Sequence, residues 1–382
     1  MINGGRMRME TIRILAVDDP AVQVYVDKQL NILGELEKQG IQVLFDIVPW
    51  EKYFKTMLNA FVEKGTYDII MVAGHLWLAD FVSKGYLSPL QYDKEDILPV
   101  IAEEMEYEGK TYLSPSFCDG HMIAYRKSMV EKVMGHLPNS VMTPDEVVEL
   151  ADKLKDLPEI LPIALKAHVS EILTDAIPYL RSTSPVDVYE IGQEGIRCNI
   201  GSMAAGMEKY IQLKELTTPE TSNYGNLEIK DLFAKKKVAM ATTWSGQMGV
   251  VMRECIDKED VGFATFTTAW NVTWSFAINN TSLHKEAAEK VLDYLRSSEI
   301  DEKVGEWSGA PIRRQSYEKG KIKYPWYSVQ LEMIQKYAKP FPHVIGAGAK
   351  NDILYQTLHE IFIGKKHINA ALIQAQEQVN AI

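Results

Sequence analysis

The sequence predicts an α/β protein built from more than one domain. Three observations lead there. Residues 12–72 alternate strand, helix, strand, helix, strand; residues 143–154 open a new amphipathic unit far downstream; and 382 residues exceed what one hydrophobic core comfortably holds. Strand–helix alternation implies a parallel sheet with helices on both faces.

Residues 12–17 are an apolar run ending at the turn signal Asp18-Asp19-Pro20. Val22, Val26, Leu30, Leu33 and Leu36 then recur every three or four residues and predict a helix over 22–39. Ile41, Val43, Phe45 and Ile47 alternate as a second strand, with Trp50 just past it. A helical run over 53–62 leads to a third strand at 67–72. Ligands of such sheets bind beyond the carboxyl ends of the strands. Those ends are Asp18-Asp19, Trp50 and the segment 73–77, which holds His75 and Trp77.

Mid-chain, Thr143 caps, Pro144 suits the first helical position and Glu146 completes a capping box, ahead of the stripe Val147, Leu150, Ala151 and Leu154. Further strands are expected at 161–165, 238–242, 261–266 and 274–278. Ser282 is the expected cap of a helix burying Ala287, Val291, Leu292 and Leu295, and Ile368, Leu372, Ala375 and Val379 mark a last helix. Gly346-Ala347-Gly348-Ala349-Lys350-Asn351 begins like a dinucleotide loop, but Asn351 replaces the third glycine, so a simple loop is expected.

Composition narrows the function classes. A net charge of −11 repels nucleic acid and anionic lipid. The three cysteines have no metal-ligand spacing and are read as buried thiols. No run reaches the roughly 18 apolar residues of a membrane-spanning helix. No apolar stretch of signal length follows Arg6 and Arg8, so no secretory signal is visible. Neither a GxSxG elbow, a Walker A loop nor an HExxH helix occurs.

Six segments, in order, resemble the extracellular solute-binding proteins of ABC importers, the sugar-binding type related to maltose-binding protein. Tyr67-Asp68-Ile69 with Gly85-Tyr86-Leu87-Ser88-Pro89-Leu90 is similar to the family's "PDV" strand and "GxLxPL" helix end. Gly109-Lys110-Thr111-Tyr112-Leu113-Ser114-Pro115 with Tyr125-Arg126 resembles "GKxYGxP…YN", departing at Leu113-Ser114 and Arg126. Thr143-Pro144 opens a helix before which the family often has a Trp; this chain lacks it. Lys236-Lys237-Val238-Ala239-Met240 through Trp244 is similar to "GKAAM…GxW". Lys285-Glu286-Ala287-Ala288, Leu292-Asp293-Tyr294-Leu295 and Gly309-Ala310-Pro311-Ile312-Arg313 match "KEAA…FLxxL…GxxPxR". Gly364 with Ala370-Ala371-Leu372 is the loosest, similar to a late "G…AL". Agreement of weak motifs in order over residues 12–380 is what gives the resemblance weight.

The resemblance implies a two-lobed clamshell of the type II periplasmic-binding-protein kind, each lobe a central sheet flanked by helices. Crossings are expected near 116–120, 267–274 and 309–313. They divide the chain into residues 10–117 plus 270–310 and residues 118–269 plus 311–382. A monomer outside the cytoplasm would capture a small polar ligand, a sugar, and deliver it to ABC permease subunits. The alternatives are an enzyme on a carbohydrate or similar metabolite, and a non-transport sensor. No catalytic residue, cofactor or metal is expected.

Sugars present hydroxyl edges and apolar C–H faces, so a site wants aromatic plates and a few charged groups. Of seven tryptophans, Trp50, Trp77, Trp244, Trp270 and Trp274 fall at strand ends or crossings, where core packing is the competing role. The candidates are Asp18, Asp19, Trp50, His75, Asp119, Trp244, Trp270 and Arg313. Asp18 and Asp19 can instead serve the turn, and Arg313 can instead pair structurally.

Overall fold

The computed structural model describes residues 9–63, 65–158, 160–192 and 195–382. The stretch around Arg6 and Arg8 lies outside them. The first half of the chain forms β1 (Glu10–Val17), α1 (Pro20–Val26), β2 (Ile41–Val48), α2 (Trp50–Val62), β3 (Ile69–Ala73), α3 (Gly74–Ser83), α4 (Pro99–Glu104), β4 (Ser114–Arg126), α5 (Pro144–Leu154), β5 (Leu161–Ala164) and α6 (Ile172–Thr183). There follow β6 (Val238–Trp244), β7 (Val261–Phe266), β8 (Trp270–Ile278), α7 (Lys285–Leu295), α8 (Ser298–Ser308), α9 (Ala347–Phe362) and α10 (Ile368–Asn380).

The helix expected over 22–39 is broken. α1 stops at Val26, and only Gly34–Lys38 is helical again. Asp27 is the cause: its carboxylate accepts the backbone N–H groups of Gln29 and Leu30, offering the chain a turn in place of the helix ladder. Asn31 then adopts a left-handed φ of 44°. The capping box of α5 forms with both bonds, Glu146 N–H to Thr143 Oγ1 and Thr143 N–H to Glu146. Ser282 sits two residues ahead of the cap position and accepts from His284 N–H while donating to Asp68. The glycine-rich stretch at 346–351 is no loop: Gly346, at φ 72°, turns the chain into the 16-residue α9.

β1 lies between β2 and β3 and runs parallel to both. β8 then adds antiparallel to β3, placing Trp274 opposite Ala73, so the sheet is mixed and not purely parallel. β4 belongs to both halves. Its residues 114–120 pair with β8, and its residues 121–126 pair with β6 and β7. β6 in turn runs parallel to β5.

Two lobes follow, each with its own apolar cluster. One gathers Ile14, Leu15, Ile70, Leu78, Phe276 and Val291; the other gathers Met122, Ile163, Tyr179, Met240, Phe263 and Leu358. Ile97, Leu98 and Ile101 precede β4 yet pack in the second cluster. Cys118, Cys198 and Cys255 are free and buried.

Candidate functional site

Because β1, β2 and β3 are parallel, residues 18, 49 and 74 come to one edge of the first sheet. Parallel β5 and β6 likewise bring Lys166 and Trp244 to one edge of the second. The shared strand β4 links the two sheets that carry these edges.

On the first lobe, Trp50 opens α2 and stays 43% exposed. Its ring lies 6.0 Å from Trp77 in a stacked arrangement and 5.9 Å from Trp274 edge-on, while Phe54 stacks on Trp77 at 5.4 Å. Buried Trp77 thus fixes an aromatic platform whose outer members remain open to solvent. Asp18 is exposed and accepts from Gln23 Nε2 at 2.9 Å. Asp19 caps α1 by accepting Ala21 N–H at 2.8 Å and is partly open. Burial, followed by the Asp119 charge, pushes its carboxyl up to about 8. His75 is the second residue of α3, and its Nδ1 has no partner. Burial, with His343 beside it, pushes it down to about 3, so it is a neutral imidazole at physiological pH.

Asp119 sits in β4 with 6% of its surface exposed. One oxygen accepts Gly246 N–H at 2.6 Å, from the turn after β6. Burial raises it to about 7, with the Gly246 bond and Lys166 opposing. Trp244, the last residue of β6, donates from Nε1 to Glu171 Oε2 at 2.9 Å. The same oxygen lies 3.6 Å from Lys166 Nζ, which rests 4.3 Å from the Trp244 ring centroid. Lys166 is fully buried, its Nζ has no hydrogen-bond partner, and burial lowers its pKa against the pull of Glu171 and Asp175.

Beneath this layer Asp175 accepts from Tyr210, Thr242 and Lys166 N–H, and lies 2.9 Å from His121 Nε2. Burial alone raises the Asp175 carboxyl, but His121, Lys166 and Tyr210 outweigh it and hold it below the usual range. Burial lowers the His121 pKa, against the pull of the Asp175 hydrogen bond and charge. Among the described residues no group of three or more His, Cys, Asp or Glu could hold a metal ion.

Two of the expected site residues do not offer themselves to a ligand. Trp270 is 0% exposed; its Nε1 donates to Thr174 O at 2.8 Å and its ring meets Trp244 edge-on at 4.6 Å, so it is the support behind Trp244. Arg313 donates from Nε and Nη2 to Arg296 O at 3.0 and 2.8 Å and lies 3.6 Å from Asp96, which holds its guanidinium in place. Lys166 and Glu171 were not among the expected residues. The signal for the first was a lysine directly after the apolar run 161–165.

The family model for the bacterial extracellular solute-binding proteins matches residues 17–302, three-quarters of the chain. The chain is a bacterial extracellular solute-binding protein. Membership makes this solute-binding protein a carrier of ligand and not an enzyme. No curated protein matches its sequence. Solved structures do match its fold. The maltose-bound MalE3 of T. maritima is similar at 20% identity and TM-score 0.83, over 97% of this chain and 99% of that one. A binding protein of Thermotoga lettingae, solved with α-D-tagatose, is similar at 19% identity and TM-score 0.82, over 97% and 99%. One from Agrobacterium vitis, solved with D-mannitol, reaches 21% identity and TM-score 0.80, over 97% and 98%. At such identities the likeness establishes the two-lobed fold of this solute-binding protein.

Proposed function

We propose that this protein captures a sugar or polyol between its lobes, outside the cytoplasm, and delivers it as a monomer to the permease subunits of an ABC importer. The lobes are residues 10–117 plus 270–310 and residues 118–269 plus 311–382. The observation that carries the reading is the arrangement at the end of β6. Trp244 is an aromatic plate pinned by Glu171, with the ammonium of Lys166, which makes no hydrogen bond, against its ring and the Trp50 platform on the other lobe. Plates take the C–H faces of a sugar, and carboxylates and an ammonium take its hydroxyls. The ligands of the similar structures, maltose, tagatose and mannitol, support the same class.

A ligand that binds only the folded state raises the melting midpoint by mass action. A thermal-shift screen over sugars, polyols and amino acids is the test. Sugars or polyols giving the largest shifts sustain the reading, and a response confined to amino acids overturns it.

A further inference from the structure

We infer that the ligand carries a protonated amine, held between Asp19 and Asp119 at the root of the cleft. The inference rests on the sugar reading above and narrows it to amino sugars or amino polyols. Each carboxyl group has one oxygen engaged. Asp19 Oδ1 takes Ala21 N–H and Asp119 Oδ1 takes Gly246 N–H. Among the described residues the second Asp19 oxygen receives no hydrogen bond, and the second Asp119 oxygen has only the Ser245 hydroxyl as a neighbouring donor. Ser245 stands beside Asp119, but its hydroxyl proton goes to Cys118 O at 3.2 Å.

Neither carboxyl has a protein cation in ion-pair contact among the described residues. Lys166, whose charge reaches Asp119, is drawn instead toward Glu171 and the Trp244 ring. Exposed Asp18 adds negative charge at the rim, and buried Asp175 adds more below. Carboxylates therefore outnumber cations in the cleft. Buried charges are tolerated when paired. A single hydroxyl has one proton and serves one carboxylate, whereas an ammonium carries three donors and the compensating charge. Asp19 comes from the first lobe, and Asp119 is fastened to Gly246 of the second, so a group bound to both joins the lobes.

Lys166 is the second, independent sign of a ligand. Its fully buried Nζ makes no hydrogen bond and has Glu171 Oε2 only at 3.6 Å, so a hydroxyl or ring oxygen of the same molecule would complete its coordination. The raised pKa values of the two aspartates agree with this arrangement, since without ligand the pair keeps a proton near neutrality. The ammonium takes that proton's place. A uronate or phosphate would add another negative charge and is excluded by the same electrostatics.

The test is a titration with matched series of hexoses, cyclitols and disaccharides, each as the neutral parent, the amine, the N-acetyl derivative and the uronate. In at least one series the amine binds about tenfold or more tighter than its parent, a difference of about 1.4 kcal/mol. N-acetylation, which removes the charge, abolishes the gain. Asp19→Asn and Asp119→Asn keep an acceptor for Ala21 and Gly246 N–H, so both fold, and both shrink the amine's advantage. A neutral parent or uronate that equals or beats its amine in every series overturns the inference and leaves the sugar reading standing. No response in any series, neutral members included, overturns both.

Discussion

Trp244 Nε1 donates to Glu171 Oε2 across 2.9 Å, and this bond, with Trp270 edge-on behind, fixes the plane of the Trp244 ring. A ring so held presents its surface to a ligand without first losing rotamer freedom, which preserves affinity. Trp244→Ala is expected to weaken binding of the best screened ligand by about 1–3 kcal/mol, in the range of buried aromatic anchors. Isothermal calorimetry on the folded variant measures it; an unchanged Kd removes Trp244 from the site.

Lys166 separates function from stability. A buried ammonium without a hydrogen bond is unfavourable, and its partner Glu171 retains some solvent contact. Lys166→Met should leave the melting temperature equal or higher while lowering ligand affinity by about tenfold or more, about 1.4 kcal/mol. A variant that melts lower and binds as before would make Lys166 purely structural.

Glu104 supplies a pH signature. It is 5% exposed, accepts from Thr273 Oγ1, and burial pushes it up to about 8. The folded protein therefore holds a proton that the unfolded chain releases above about 4. Stability from this group is fully present below that pH and is lost as pH rises toward 8. Glu104→Gln cannot titrate and keeps the acceptor for Thr273. Its melting temperature relative to the wild type should rise from pH 5 to pH 8, by roughly 2 °C or more. A difference that stays flat, or falls, contradicts a proton held by Glu104.

Ligand should also shrink the molecule. Gly346 N–H, ahead of α9, donates to Asp80 of α3 at 3.0 Å, and His343 Nε2 lies 3.0 Å from Glu104 O. Such polar contacts favour closure only as far as a ligand touching both lobes adds differential affinity. Small-angle scattering at saturating ligand should give a smaller radius of gyration than without it. Superimposable curves would mean a rigid, preformed pocket.

What could be read in advance was local. Thr143 and Glu146 lie three residues apart, so their capping box is written in the sequence. Apolar spacing through Leu36 concealed the break at Asp27, because a carboxylate competing for two nearby N–H groups leaves the hydrophobic stripe intact. The antiparallel placement of β8 beside β3 joins residues about two hundred positions apart, which periodicity does not report. The same limit governs the cleft. Trp244 and Asp119 stood out as a strand end and a crossing. The Lys166–Glu171 contact exists only once the loop after β5 folds against Trp244. Trp270 failed as a candidate because its flank of the strand faces Thr174 and not solvent.

The thirteen residues of β4 carry one further consequence. Neither half of the molecule can finish its sheet without this strand, so severing the chain between Gly120 and His121 would leave both pieces with an incomplete ladder. The two cores should therefore melt as one cooperative unit, in a single calorimetric peak whose van't Hoff and calorimetric enthalpies agree. Damage confined to one core, such as a cavity at Ile163, should weaken hydrogen-exchange protection in the distant strands β1 and β3 as much as in its own neighbourhood.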